Sequence, residues 1–261
     1  MKQKKTMLIA FAVVVLGIAF TACKPEPERT KTYTVTFESN GGTTVASQAL
    51  NEGQKITKPV DPTKTGYECK FLGWFDQNLV NVYDFNSSVY ADITLYAKWG
   101  FYEIGDTGIG GGIIFYINDT GFIMTDNNKT CYYLEAASED MSTTLRWVTA
   151  TETPFPSITT VEGLGTGRKN TALILAEDST APAAKSCVDY KGINNFTDWF
   201  LPSRAEFAEL YKIKDVIGIS TGLYWSSECA VGPAFTFNFD TGSMSPQAKN
   251  SLHLVRAIRG F

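Results

Sequence analysis

Cys23 is the residue of this chain whose position most clearly suggests chemistry, because it ends a segment with the features of a secretory signal. Three lysines within the first five residues precede an uninterrupted apolar run over 7–20, and the small residues Thr21 and Ala22 follow it. A membrane-spanning helix needs about 20 apolar residues, more than this run contains. We therefore expect residues 1–22 to be removed as a signal peptide.

The segment 20–23 resembles the lipobox of bacterial lipoproteins, with Phe20 where that family prefers leucine. The resemblance implies that Cys23 is acylated and anchors the exported chain to the membrane of a bacterial cell envelope, at the outer membrane or cell surface. Several acyl chains hold a protein firmly, since each buried methylene contributes about 0.8 kcal/mol. The alternative is an ordinary secreted protein in which Cys23 is only a thiol. The charged, proline-rich residues that follow predict an extended linker over 23–32.

The other four cysteines would lie in an exported protein, where disulfides persist. Cys69 falls in a different predicted unit from Cys131, Cys187 and Cys229, so we expect at most one bridge, drawn from the last three, with its pairing left open. The sequence has no CxxC spacing, and its one histidine, His253, is interpreted as a surface or packing residue. Neither a zinc or iron site nor any cofactor is expected.

An acidic cluster and two glycine-rich segments also have residue types that can do chemistry. Glu135, Glu139 and Asp140 could serve in acid–base catalysis, but such runs are usually solvated. The glycines of 105–112 and 163–167 lack the spacing or the strand-to-helix context of a phosphate-binding loop. We interpret them as bulges or places of close backbone approach. No catalytic set emerges, and we do not expect an enzyme.

The charge of the exported part argues against a nucleic-acid partner. Of the 23 basic residues, three lie in 1–22, so 20 remain against 27 acidic residues. Nucleic-acid binding needs clustered lysine and arginine. The length that remains suits one large domain or two small ones.

The first predicted unit, 33–100, consists almost entirely of strands. Apolar and polar residues alternate at period two over 33–37, which is the pattern of a half-buried strand. A tight turn is expected at 40–42, because an asparagine and two glycines accept positive φ. Further strands are expected at 43–50, 71–75 and 93–99.

This unit resembles the Listeria-Bacteroides B-repeat first described in internalin B. The resemblance implies a β-grasp-like fold and a spacer or adhesion module of bacterial surface proteins. A single copy favours the spacer. The matching positions are 33–37, 40–42, Pro59, Pro62, 66–67, 71–75, 84–85 and 95–99.

The second predicted unit, 101–261, mixes strands and helices. A helix capped by Asn170 is expected through 175, interrupted at Pro182 and resumed through 190. Ser203 and Glu206 form a capping box for another helix. Strands are expected at 113–117, 224–228, 234–239 and 254–258, with the aromatic side chains of the late strands in the core. Together these elements describe an α+β domain.

This unit resembles the DUF1566 family, which has a C-type-lectin-like fold related to the formylglycine-generating enzymes. The predicted fold class of the whole chain is therefore α+β, with a small β-grasp-like repeat followed by a C-type-lectin-like domain. The matching positions are 104–106, 111–116, 133–137, 165–167, 170–171, 198–203, 224–228 and 255–259.

The lectin-like resemblance implies that the late loops, 226–250, form a ligand face for a host protein, an envelope protein or a glycan. An enzyme related to the formylglycine-generating group is the alternative, although that group holds copper with two cysteines and only Cys229 lies in the matching region. A purely structural envelope protein is a third possibility. The candidate ligand contacts are Ser227, Glu228, Asn238, Asp240, Ser243 and Gln247.

Two arginines on the last predicted strand alternate with apolar neighbours. A structural role is therefore expected for Arg256 and Arg259, in which an arginine pairs with a carboxylate such as Asp198 or Glu206.

Overall fold

The computed structural model describes residues 30–150 and 158–261, and the predicted signal peptide, Cys23 and most of the linker lie outside them. The first unit contains β1 (Thr32–Glu38), β2 (Gln48–Asn51), β3 (Lys70–Phe75) and β4 (Ile93–Gly100). The second contains β5 (Ile113–Met124), β6 (Lys129–Ala136), β7 (Ser142–Leu145), α1 (Gly167–Glu177), α2 (Pro182–Asp189), α3 (Arg204–Tyr211), α4 (Lys214–Ile217), β8 (Leu223–Cys229), β9 (Ala234–Asn238), β10 (Met244–Gln247), β11 (His253–Val255) and β12 (Ile258–Gly260). Within these described ranges, every helix is too short or too polar to span a bilayer.

The first unit is one mixed sheet with the order β2-β1-β4-β3. β1 and β4 are parallel neighbours at its centre, with Val35 opposite Ile93. The alternation predicted for β1 is confirmed, because Val35 and Phe37 are buried while Thr34 and Thr36 face solvent. The turn at 40–42 is also confirmed, since Asn40 and Gly41 have positive φ angles.

The second strand is shorter than predicted. β2 begins only at Gln48, because Thr43 is held by another segment. The backbone N–H of Thr43 donates to the Thr63 carbonyl at 2.8 Å, and its Oγ1 accepts from the Thr63 N–H at 3.0 Å. Residues 43–47 therefore lie outside the sheet.

The second unit contains two sheets and four helices, which confirms the mixed α+β class. A five-stranded sheet has the order β10-β9-β8-β11-β7, and a three-stranded sheet has the order β12-β6-β5. One core packs the larger sheet against α1 and α2 and includes Trp147, Trp199 and Trp225. A second core surrounds Phe207 and Leu210 of α3.

The helix starts agree only in part with the sequence. The capping box of α3 is confirmed, since Ser203 and Glu206 exchange side-chain and backbone hydrogen bonds. The cap predicted at Asn170 is wrong, because α1 begins three residues earlier and Asn170 is buried inside it. Its amide instead exchanges two 2.7 Å hydrogen bonds with the backbone of Val161 and fixes that loop.

The predicted strand 254–258 is divided between the two sheets. β11 pairs with β7 and β8, whereas β12 pairs with β6. Arg256 lies at the crossing, where its guanidinium donates to Asp140 and to the Ala137 carbonyl, both at 2.7 Å. The chain leaves one sheet there and enters the other.

The two units are packed against each other. Cys69 of the first unit is buried beside Tyr102, Tyr133 and Phe261 of the second. The Tyr133 hydroxyl donates to the Tyr67 carbonyl at 2.6 Å, and the rings of these two tyrosines stack with centroids 5.6 Å apart. The junction is therefore a small aromatic core.

Candidate functional site

The six candidate ligand contacts do not share one surface. Ser227 and Glu228 are buried in the middle of β8, whose five central residues are all buried. Asp240 and Ser243 are exposed in the turn after β9. Asn238 and Gln247 are half-buried on β9 and β10.

Ser227 takes part in the fold, and its position does not agree with the expected ligand contact. Its backbone N–H donates to the Pro202 carbonyl at 2.7 Å, and its hydroxyl oxygen accepts from Asn170 at 3.4 Å. The β8 strand is the central strand of the five-stranded sheet, and the burial of five consecutive residues shows that both of its faces are covered. Ser227 therefore joins β8 to α1 and to the loop before α3.

Glu228 holds an arginine that the sequence did not indicate. Its carboxylate accepts from the backbone N–H of Arg204 at 3.0 Å and pairs with the Arg204 guanidinium. Arg204 also pairs with Glu162, whose side chain is 79% exposed, and lies over the Phe235 ring at 4.3 Å. Phe235 is half-buried under this guanidinium and does not reach the core position expected for it. Phe237 and Phe239 are core residues, as predicted.

These residues border an open groove of about 370 Å³, which we call the Arg204 groove. It is lined by Glu162, Gly163, Arg204, Ala205, Glu228 and Met244.

The remaining candidates belong to the turn between β9 and β10. The Asn238 side chain accepts from the backbone N–H groups of Asp240 and Thr241, at 2.7 and 3.3 Å. The hydroxyls of Thr241 and Ser243 are 2.7 Å apart. Asn238 therefore shapes the turn, and Asp240 and Ser243 are left on its outer side.

The expectation that Arg259 pairs with a carboxylate is confirmed. Its guanidinium donates to Asp198 at 2.7 and 3.0 Å and to Glu135 at 2.7 Å. Although burial opposes ionisation, the hydrogen bonds from Arg259 hold the pKa of Asp198 below its ordinary value. Arg256 pairs with Asp140 instead of the carboxylates named from the sequence.

Both glycine-rich segments bind a carboxylate of the protein itself. The N–H groups of Gly110 and Gly112 donate to Glu135, each at 2.9 Å. A Cβ added at Gly110 would lie 2.6 Å from that carboxylate, so the close backbone approach predicted for this segment is confirmed.

The second glycine segment surrounds Glu206 in the same way. Gly165, Gly167 and Ser203 donate their N–H groups to its carboxylate, at 3.0, 3.4 and 2.7 Å. Burial raises the pKa of Glu206 to about 7, against these hydrogen bonds. Burial likewise raises the pKa of Glu135, although Arg259 and the glycine N–H groups oppose it.

The acidic cluster 135–140 separates in the folded chain. Glu135 is buried with Arg259, Asp140 pairs with Arg256, and Glu139 faces solvent. The carboxylates therefore have separate partners. His253 packs edge-on against Trp225, with ring centroids 4.6 Å apart.

The three candidate cysteines form no disulfide with one another in the described residues. Cys131, Cys187 and Cys229 are all free thiols in the structure. Cys131 lies in the core around α3, whereas Cys187 lies in the core under α1 and α2. The Cys229 thiol donates to the Ile158 carbonyl at 3.1 Å, and burial raises its pKa.

A comparison with family models identifies the first unit. Residues 33–98 match the family model of the Listeria-Bacteroides repeat domain, which confirms that resemblance. A protein of Evansella cellulosilytica named "Putative membrane protein" is 48% identical over 73 residues, 27% of this chain. Another from that organism, named "Putative Gly-rich membrane protein", is 35% identical over 136 residues, 49% of this chain. The matched segments span 11% and 15% of these relatives' lengths.

Proposed function

We propose that this chain is an exported bacterial lipoprotein, anchored through Cys23, that displays a ligand-binding domain on the cell envelope. The second unit would have a C-type-lectin-like fold and bind a host protein, an envelope protein or a glycan, with the first unit as its spacer. Support for the anchor comes from the signal-like segment 1–22 and from the membrane-protein names of the two relatives. The repeat match over 33–98 supports the spacer.

The Arg204 groove carries the binding part of the proposal. The Arg204 guanidinium is held in one orientation by the buried Glu228 and by the Phe235 ring. An arginine fixed beside an aromatic ring is a common anchor of protein interfaces. The side chain of Met244 at the groove is 41% exposed and offers apolar contact.

Glu162 gives a ligand a way to reach Arg204. It is the exposed partner of the arginine, and exposed ion pairs contribute only about 0–1 kcal/mol. A ligand carboxylate or hydroxyl can therefore replace Glu162 at the guanidinium without disturbing the buried pair.

Binding arrays test this site. The chain from residue 23 onward, with Cys23→Ser, is screened on glycan and extracellular-matrix arrays. We expect Met244→Glu to abolish binding of any positive ligand, Glu162→Ala to preserve or tighten it, and Val216→Glu, an exposed control outside the groove, to leave it unchanged. Turnover of some substrate without any bound ligand would contradict the proposal.

The anchor has its own test. The wild-type chain is expected to incorporate a palmitate analogue in bacterial cells and to fractionate with membranes, whereas Cys23→Ala should do neither. Persistent labelling of that variant would place the anchor elsewhere.

A further inference from the structure

A second cavity, separate from the Arg204 groove, lies between the two units. Its volume is about 450 Å³, within the range of pockets that hold small ligands. The first unit contributes Thr43, Thr63 and Lys64, and the second contributes Lys129, Phe196 and Asp198 among others. We call it the inter-unit cleft.

The wall from the first unit is held rigidly. The Trp99 indole N–H donates to the Ser39 carbonyl at 2.9 Å. A Cβ added at Gly42 would collide with the Trp99 ring, so the 39–43 loop lies directly on that ring. The hydrogen bonds between Thr43 and Thr63 connect this loop to the segment that carries Lys64.

The wall from the second unit is equally fixed. Arg259 lies on the Phe196 ring at 3.9 Å and is bonded to Asp198 and Glu135. The Tyr133–Tyr67 hydrogen bond and the Lys70–Asp106 ion pair, both 2.6 Å long, hold the two walls in their relative position. The cleft is thus preformed.

Two lysines give the inter-unit cleft its charge. Lys64 and Lys129 are half-buried, and among the described residues neither has a carboxylate within 4 Å. Lys64 lies 5.5 Å from the centroid of the Trp99 ring, and the charge of Lys129 acts on Asp198 without a hydrogen bond. Because Arg259 faces two carboxylates, the charges of Arg259, Glu135, Asp198, Lys64 and Lys129 together leave one net positive charge at the cleft.

We propose that the inter-unit cleft binds a short acidic saccharide, with its carboxylates at Lys64 and Lys129. The threonines and Asp198 offer partners for sugar hydroxyls, and Phe196 offers an apolar ring edge. Asp198 disfavours a phosphate monoester, because a doubly charged group close to it would be repelled. The mixture of hydroxyls, one acceptor and two cations therefore favours a sugar acid over a phosphate.

Titration calorimetry with digalacturonate tests the site on the chain from residue 23 onward, carrying Cys23→Ser. We expect binding that weakens as salt is raised, since it rests on charge. The fully methyl-esterified disaccharide, which is uncharged, should bind at least tenfold more weakly. Lys64→Met and Lys129→Met should each weaken binding about fivefold or more. Lys169→Met, a half-buried lysine on α1 outside the cleft lining, should not change it.

Lysine acetylation of the chain without the lysine substitutions tests the same site, so the result does not depend on whether a variant folds. Bound digalacturonate should protect Lys64 and Lys129 from acetylation and leave Lys169 reactive. Equal binding of the methyl ester, no protection, or tighter binding of a triglutamate peptide would overturn the proposal. None of these variants touches the Arg204 groove, so array binding there succeeds or fails independently.

Discussion

At the scale of single residues, Glu206 makes the stability of the protein depend on pH. The pKa of Glu206 in the folded protein is about 7, above the ordinary 4.5. The stability that its protonated form contributes is therefore fully present below pH 4.5 and is lost as the pH rises through 7. At about 1.4 kcal/mol per pKa unit, this amounts to about 3 kcal/mol. Between pH 4 and pH 8, the free energy of unfolding of the wild type, measured in urea, should fall by this amount relative to that of Glu206→Gln. Parallel pH profiles for the two proteins would contradict the assignment, and Glu209→Gln on the same helix is the control.

Arg259 is the residue whose loss should cost the most among the ion pairs. It is buried between Glu135 and Asp198, so Arg259→Met leaves two carboxylates without their cation. Breaking a buried pair in this way typically costs about 3–5 kcal/mol. Lys185→Met removes the exposed pair with Asp189 and should cost about 0–1 kcal/mol. Equal losses in urea unfolding would show that the buried network contributes no more than a surface pair.

At the scale of elements, the second glycine segment should tolerate no side chain at Gly165. Its φ is +78°, and a Cβ there would collide with the Ile123 carbonyl oxygen. Gly232 has a similar positive φ of +98°, but a Cβ there has nothing within 4 Å. Gly232→Ala should therefore cost about 1–2 kcal/mol from the backbone alone, and Gly165→Ala clearly more. Equal shifts of the thermal midpoint would exclude the steric effect.

Elements specified by nearby residues were predictable from the sequence. The alternation in β1 and the capping box of α3 depend on residues within a few positions of each other, and both are confirmed. β10 was missed because it is short, contains Pro246 and is stabilised by pairing with β9 as an edge strand. Non-local pairing leaves little trace in a single sequence.

The candidate site was harder to predict for two physical reasons. β8 is buried on both faces, so alternation could not show that Ser227 and Glu228 point away from solvent. The Arg204 groove joins segments around Glu162, Arg204 and Met244, which are far apart in the chain. Glycine segments were easier, because their residue type alone indicates close backbone approach.

At the scale of the whole molecule, Tyr133 connects the two units. Its hydroxyl donates to the Tyr67 carbonyl and accepts from the Tyr102 N–H at 3.4 Å. Tyr133→Phe leaves both backbone groups without this partner and should cost about 1–3 kcal/mol in urea unfolding. The matched control is Tyr116→Phe, because the hydroxyl of the half-buried Tyr116 accepts a long hydrogen bond from Asn118, at 3.4 Å. If both variants lose the same free energy, the junction hydrogen bond contributes nothing.

The parallel pairing of β1 with β4 has a mechanical consequence for a tethered protein. With an anchor before β1 and a captured ligand beyond β4, tension pulls on opposite ends of two strands that run in the same direction. Such a pull slides one strand along the other, so the hydrogen bonds between them bear the load together instead of opening one at a time. The spacer would then act as a shear-resistant link between the cell and whatever it holds.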